Sequence, residues 1–297
     1  MMKPLTRIEH SLAMAISQGE APGCPTKLAG AIRHAVFPGG ARVRPQLCLA
    51  VAAACGDDDP SLSSAAASAV ELLHCASLVH DDLPCFDNSP TRRGRASVHY
   101  AYGEPLAVLA GDALIILAFQ TLTLGAARSP QRLPALITMV AQSVGMPFGA
   151  VAGQAWESEP RVNLQDYQRA KTGALFAAAT MGGAQAAGAD PEIWRGFGDW
   201  LGEAYQAADD IRDVIGDPSV LGKPAGRDMA LLRPSAATEL GLEGAVEYFD
   251  QLVARAIAAV PDCAGAEGLR ALVRHEAERL VPKDSLAGSL RAAAAAA

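Results

Sequence analysis

Seven residues, Asp81-Asp82-Leu83-Pro84-Cys85-Phe86-Asp87, and five more, Asp209-Asp210-Ile211-Arg212-Asp213, each gather three carboxylates in a short span. Basic residues follow each cluster, Arg92-Arg93-Gly94 after the first and Lys223-Pro224 after the second. Carboxylates held this close repel one another unless a cation sits among them. All-oxygen ligand sets suit hard ions, and Mg²⁺ is usually held by a few carboxylates together with substrate phosphates. Arginine and lysine do not ligate a metal, but they grip the same phosphates, arginine through a bidentate fork. Carboxylate, metal and cation describe a diphosphate clamp, present twice.

The elements that must position these groups read as helices. Gln206, Asp209, Asp210 and Asp213 fall at i, i+3, i+4 and i+7, on one face opposite an apolar stripe of Phe197, Leu201, Ala204, Ala208, Ile211 and Ile215. A solvated acidic face is the bland alternative, but like charges at these spacings destabilise a helix unless something offsets them. His74, Ser77, Leu78 and Asp81 share the same spacing before the first cluster. Pro84 disfavours the helical region at Leu83, so the helix ends or kinks there. A loop beyond it can return Asp87 to Asp81 and Asp82 as a ligand; a turn or capping role for Asp87-Asn88-Ser89-Pro90 is the alternative. After the cluster, Leu106, Leu109, Ala113 and Leu117 suggest another buried stripe.

Around these segments the 297-residue chain is half apolar, poor in aromatics at 5%, and rich in alanine. That composition favours close-packed helices, and no strand-length alternation appears. Glycine and proline fall between helical segments without marking a linker, so the expected organisation is one all-α domain over residues 1–291. The alanine run at 292–297 is a low-complexity tail. The net charge of −7 excludes a nucleic-acid partner. Six cysteines without a paired spacing read as reduced thiols of a cytoplasmic protein. The best apolar stretch, 105–119, is interrupted by Gly111-Asp112, so no transmembrane segment is expected. His80, His99, Trp156, Trp194 and Trp200 read as packing residues, and Cys85 as too soft a donor for Mg²⁺.

Ordered motifs now carry a resemblance. His74-x5-His80-Asp81-Asp82-Leu83-Pro84-x-x-Asp87-Asn88-x3-Arg92-Arg93-Gly94 is similar to the first aspartate-rich motif of short-chain trans-polyprenyl diphosphate synthases. Gln206-x-x-Asp209-Asp210-x-x-Asp213, followed by Gly222-Lys223-Pro224-x-Gly226-x-Asp228, resembles their second. Pro38-Gly39-Gly40-x-Arg42-Val43-Arg44-Pro45 and Lys171-Thr172-Gly173 resemble two further blocks in the family's order.

The resemblance implies an isoprenoid-synthase type helical bundle around a central cavity, usually a homodimer. It implies head-to-tail condensation of isopentenyl diphosphate with an allylic diphosphate. Three Mg²⁺ ions would be held by Asp81, Asp82, Asp87 and Asp209, with Asp210 and Asp213 supporting the third directly or through water. Arg92, Lys171, Thr172, Gln206 and Lys223 would meet the allylic substrate, and Arg44, His74 and Arg93 would bind isopentenyl diphosphate. Asp81, Asp87, Arg92, Lys171, Asp209 and Lys223 would be the catalytic set. The small pair Ala76 and Ser77, one turn below Asp81, would form the floor against which the product chain grows. Small residues there, with the longer first motif, resemble bacterial geranylgeranyl diphosphate synthases of the carotenoid-pathway type; farnesyl diphosphate is the alternative product. A terpene cyclase would lack Arg92-Arg93-Gly94 and the second aspartate cluster, and a silent partner subunit would tend to lose aspartates. One departure stands out: Ala41 replaces the lysine usual after Gly-Gly. Either Arg42 or Arg44 then supplies the missing charge, or the affinity for isopentenyl diphosphate is weaker.

Overall fold

The computed structural model describes residues 3–37, 39–160, 163–215 and 235–282. Lys223, the motif around it, Pro38 and the alanine tail lie outside the described residues. In chain order come α1 (Pro4–Ser17), α2 (Thr26–Val36), α3 (Val43–Ala54) and α4 (Pro60–Asp81). A two-stranded hairpin, β1 (Thr91–Arg92) with β2 (Arg95–Ala96), precedes α5 (Val98–Tyr102), α6 (Glu104–Gly125) and α7 (Leu133–Val144). Then follow α8 (Ala150–Ala155), α9 (Leu164–Gln168), a π-helical turn (Arg169–Gly173), α10 (Ala174–Ala186), α11 (Arg195–Ile215), α12 (Ala236–Ala258) and α13 (Ala266–Leu280). The all-α reading holds among the described residues. The hairpin escaped it because strands of two residues are too short to show alternation.

The chain forms two compact units, one within Met1–Gln142 and Ala178–Glu192, the other within Ser143–Ala177 and Ile193–Ala297. In the first, α4 is the central element. Asp59 caps it by accepting from Leu62 N–H (3.3 Å), and Pro60 occupies its first turn, both favourable at a helix start. Most of α4 is buried, yet His74, Ser77, Leu78 and Asp81 are all half-buried, so the face read from their spacing is the open one.

The stripe expected on α6 is corrected. Of its members Leu117 is buried, Leu106 and Ala113 are half-buried and Leu109 is 50% exposed, whereas Ala107, Ala110, Leu114, Ala118 and Leu122 are buried. The helix is apolar nearly all round, so periodicity does not single out a face; size does. A Cβ on Gly125 would stand 2.2 Å from that of Ala65, and one on Gly111 would strike the His80 ring. Only small residues permit this approach of α6 to α4. By length and composition alone α4 and α6, the latter despite Asp112, also reach a membrane span, a test that core helices pass as well. The α4 window is 78% buried inside its own unit, the place of a core helix.

In the second unit the stripe on α11 is buried as read: Ala204, Ala208 and Ile211 pack with Ala237, Ala245, Phe249 and Leu252 of α12. Gly202 lets α11 touch the π-helical turn, because a Cβ there would lie 2.5 Å from Gly173 Cα.

Candidate active site

The first unit assembles one group of site residues at the open end of α4. The chain turns back after Asp81: Asp87 N–H donates to Asp81 O (2.9 Å) and Ser89 N–H to Asp82 O (3.1 Å). This loop returns Asp87 to the helix end, where Asp81 and Asp87 stay half-buried. Asp82 is different. It is 2% exposed, and Arg92 grips it with Nη2 (2.6 Å) and Nε (3.0 Å). Burial pushes its carboxyl above the usual carboxylate range, Arg92 pulls it back, and Asp81 and Asp87 push it further up. Arg92 ends β1, and Arg93-Gly94 makes the turn with both residues at positive φ, 54° and 73°. Such a two-residue turn matches the twist of its strands, but it strains a residue with a side chain.

Beside the carboxylates lies a cluster of cations around His74. Arg44 Nη1 donates to His74 Nε2 (3.3 Å). Burial, then the charges of Arg44, Arg93, Arg92 and Arg42, hold this imidazole well below its ordinary pKa, so it is neutral near pH 7. Gly40 lies against Arg93, with a Cβ there only 3.0 Å from Nε. The Gly-Gly loop, Arg44, His74 and Arg93 therefore converge. Arg42 does not belong to this group. Its guanidinium is buried between Glu71 (2.6 Å) and Glu9 (2.8 Å) and also bonds Val36 O (2.8 Å). Of the alternatives for the lysine that Ala41 replaces, the one through Arg42 is thus set aside; a contribution from Arg44, or a weaker affinity, remains. Ala76 is 1% exposed in α4, while Ser77, on the open face, donates to His74 O (2.9 Å).

The second unit presents its own group. Asp209 is 55% exposed, with Arg212 at 3.9 Å. Asp210 is 2% exposed and accepts from Gln206 (2.9 Å), Gln168 (3.2 Å) and the N–H of Ala236 (2.8 Å). Asp213 is also buried, at 7%. The acidic face is therefore not a uniformly solvated one. Thr172 Oγ1 donates to Gln206 Oε1 (2.7 Å), and Lys171 pairs with Glu157. Both Lys171 and Thr172 lie in the π-helical turn, a distortion found most often at functional sites.

The polyprenyl synthetase family model matches residues 25–264. The chain belongs to the polyprenyl synthetase family. It is 54% identical over 276 residues to the geranylgeranyl diphosphate synthase of Cereibacter sphaeroides, covering 93% of this chain and 96% of that protein. It is 49% identical over 275 residues to the geranylgeranyl diphosphate synthase of Rhodobacter capsulatus, covering 93% and 95%. Among solved structures, a Helicobacter pylori geranyltransferase complexed with magnesium and isoprenyl diphosphate is similar at a TM-score of 0.77 and 29% identity, covering 93% of this chain and 98% of that one. An FPP/GFPP synthase from Zymomonas mobilis in its apo state is similar at 0.78 and 30%, covering 92% and 96%.

Among the described residues of this polyprenyl synthetase, no three His, Cys, Asp or Glu side chains converge as a metal cage. Mg²⁺ takes one or two carboxylates and completes its shell with water and phosphate. The accessible oxygens of Asp81 and Asp87, all hard donors, fit such an ion. Glu157 was missed by the sequence reading, since a lone acid in a short segment carries no periodic signal.

Proposed function

We propose that this prenyltransferase condenses isopentenyl diphosphate with allylic diphosphates, head to tail, and that geranylgeranyl diphosphate is its product. The observation that carries the reading is the pairing, on one helix end, of two accessible carboxylates with an arginine-flanked neutral histidine. The two bacterial relatives, both named geranylgeranyl diphosphate synthase, support the product.

Asp81 and Asp87 of the first unit would hold Mg²⁺, with Asp82 behind them, and Asp209 of the second would do the same, with Asp210 and Asp213 behind it; the family motifs imply three ions with substrate bound. When bound, Mg²⁺ supplies Lewis-acid stabilisation of the departing diphosphate. Arg92 and Lys171 add fixed charge where negative charge develops, and Thr172 and Gln206 orient the same group. Lys223 belongs to this set by the family motif and lies outside the described residues. Arg44, Arg93 and neutral His74 receive isopentenyl diphosphate. The imidazole contributes hydrogen bonding there without repelling the arginines around it.

A homodimer fits the exposed apolar residues of α6, where Val108, Leu109, Ile116 and Leu124 are each at least 41% exposed. The six thiols, none of them in a disulfide, fit a reducing cytoplasm. Residues 1–291 act as one catalytic domain.

The test is incubation with labelled isopentenyl diphosphate, Mg²⁺ and each allylic primer in turn, followed by product analysis. Geranylgeranyl diphosphate as the end product supports the reading. No incorporation of label would leave a cyclase or a silent subunit. Ala76 and Ser77 set the floor of the growing chain, so Ala76→Tyr shifts the main product to farnesyl diphosphate while incorporation continues. An unchanged product length would put the floor elsewhere.

A further inference from the structure

Lysine is a long side chain that carries about 2 kcal/mol of rotamer entropy, so an ammonium that must meet a phosphate gains from being fixed beforehand. In the second unit Lys171 is fixed twice. Gly153 of α8 packs on its backbone, where a Cβ would stand 2.3 Å from Lys171 N. Glu157, in a single 3-10 turn after α8, takes its ammonium. The carboxylate is itself anchored. Tyr167 Oη donates to Oε1 (2.7 Å) and Gln154 Nε2 to Oε2 (3.1 Å). The Lys171 ammonium also lies 5.7 Å from the centre of the Tyr167 ring, within cation–π range.

We propose that Glu157 is a positioning residue: it aims the Lys171 ammonium at the allylic diphosphate through a carboxylate that Tyr167 and Gln154 hold still. This rests on the assignment of Lys171 to that substrate. The side chains of the pair are 19% and 15% exposed, which spares it most of the screening that makes surface ion pairs weak. An ammonium has three N–H donors. One suffices for Glu157, so contact with a phosphate oxygen does not require the pair to break.

The experiment uses the full chain with Mg²⁺ and geranyl thiolodiphosphate, an analogue that resists ionisation. Its Kd is measured by calorimetry for wild type, Glu157→Gln, Lys171→Met and the double variant, alongside KM for isopentenyl diphosphate. Glutamine keeps the shape and an acceptor but removes the charge. The expected result is about tenfold weaker analogue binding in Glu157→Gln, with KM for isopentenyl diphosphate within about twofold. In the Lys171→Met background the same change should add less than about twofold, because a residue acting through Lys171 has nothing left to act on. Equal losses in both backgrounds would mean that Glu157 only supports the fold. Tighter binding in Glu157→Gln would mean that the carboxylate competes with substrate, and no change would mean that it has no role; each overturns the proposal. If Lys171→Met alone leaves Kd unchanged, the assignment of Lys171 fails first, and that is seen without Glu157. Should Glu157→Gln not fold, Tyr167→Phe keeps the charge but frees one anchor. It should weaken binding about threefold only where Lys171 is present, and a loss in both backgrounds overturns the proposal.

Discussion

The Asp81-Asp82 and Asp209-Asp210 pairs sit on different helices in different units, yet each divides in the same way. The first aspartate stays accessible, and the second is 2% exposed and saturated by protein donors. The donors differ. Among the described residues Asp82 faces a guanidinium, Arg92, and Asp210 accepts from two amides and the first N–H of α12. One buried carboxylate thus steadies a cation assigned to substrate, and the other steadies the backbone. A doubled aspartate in sequence is therefore one accessible carboxylate and one held by the protein, and what holds it need not be the same in both places.

The comparison breaks most readily at its accessible members. Asp81→Ala and Asp209→Ala should each lower kcat by about 10³-fold or more, with Tm close to wild type, since each removes stabilisation of the leaving diphosphate. Steady-state kinetics in Mg²⁺ beside a thermal melt checks this; near-normal turnover in a folded variant would end the clamp reading. The buried members should separate. Asp82→Asn frees Arg92 and should cost about 10- to 100-fold in kcat/KM for the allylic substrate. Asp210→Asn should instead cost about 2 kcal/mol of stability, as its bonds to α12 and Gln168 weaken, with a smaller loss of turnover. Melts and kinetics on the two variants that show the same balance of effects would deny the difference between them.

The smallest effect lies two turns below each pair. His74 precedes Asp81 by seven residues, and Glu203 precedes Asp210 by seven. Both are shifted toward neutrality, with opposite consequences. The His74 value is lowered in the folded state by burial and the surrounding arginines. As pH falls below about 6.5 the unfolded chain takes the proton first, so this residue costs stability on the acid side. The Glu203 value is raised by burial and by Asp199, against Arg169 and Arg255. There the folded chain takes the proton first, so stability is gained as pH falls through the folded value and lost as it rises. Glu203→Gln should raise Tm near about pH 8, with the gap closing toward about pH 5. His74→Gln should remove part of the acid-side loss. Melts across pH that show no such opposition would place both groups in milder surroundings.

Helical spacing disclosed the open face of α4 and the buried stripe of α11, because each helix has one polar and one apolar side. It misplaced the stripe of α6, where both sides are apolar and the glycine and alanine positions decide which one is buried. Spacing also did not separate Asp82 from Asp81, since the separating contact, Arg92, arrives through a turn ten residues later. Arg42 and Arg44 look alike in sequence, but Glu71 on α4 claims one of them and His74 receives the other. Through-space pairing of this kind leaves no mark on a local pattern.

The Arg93-Gly94 turn bears on how such a protein can be improved. A chain shaped for stability alone would favour Asn-Gly at these two positions, since asparagine tolerates the left-handed conformation better than arginine does. Swapping it in should make a sturdier hairpin and, at the same stroke, empty the cluster around His74 of one charge. Stabilising the scaffold by consensus turn chemistry and keeping the proposed grip on isopentenyl diphosphate therefore pull against each other at this one residue.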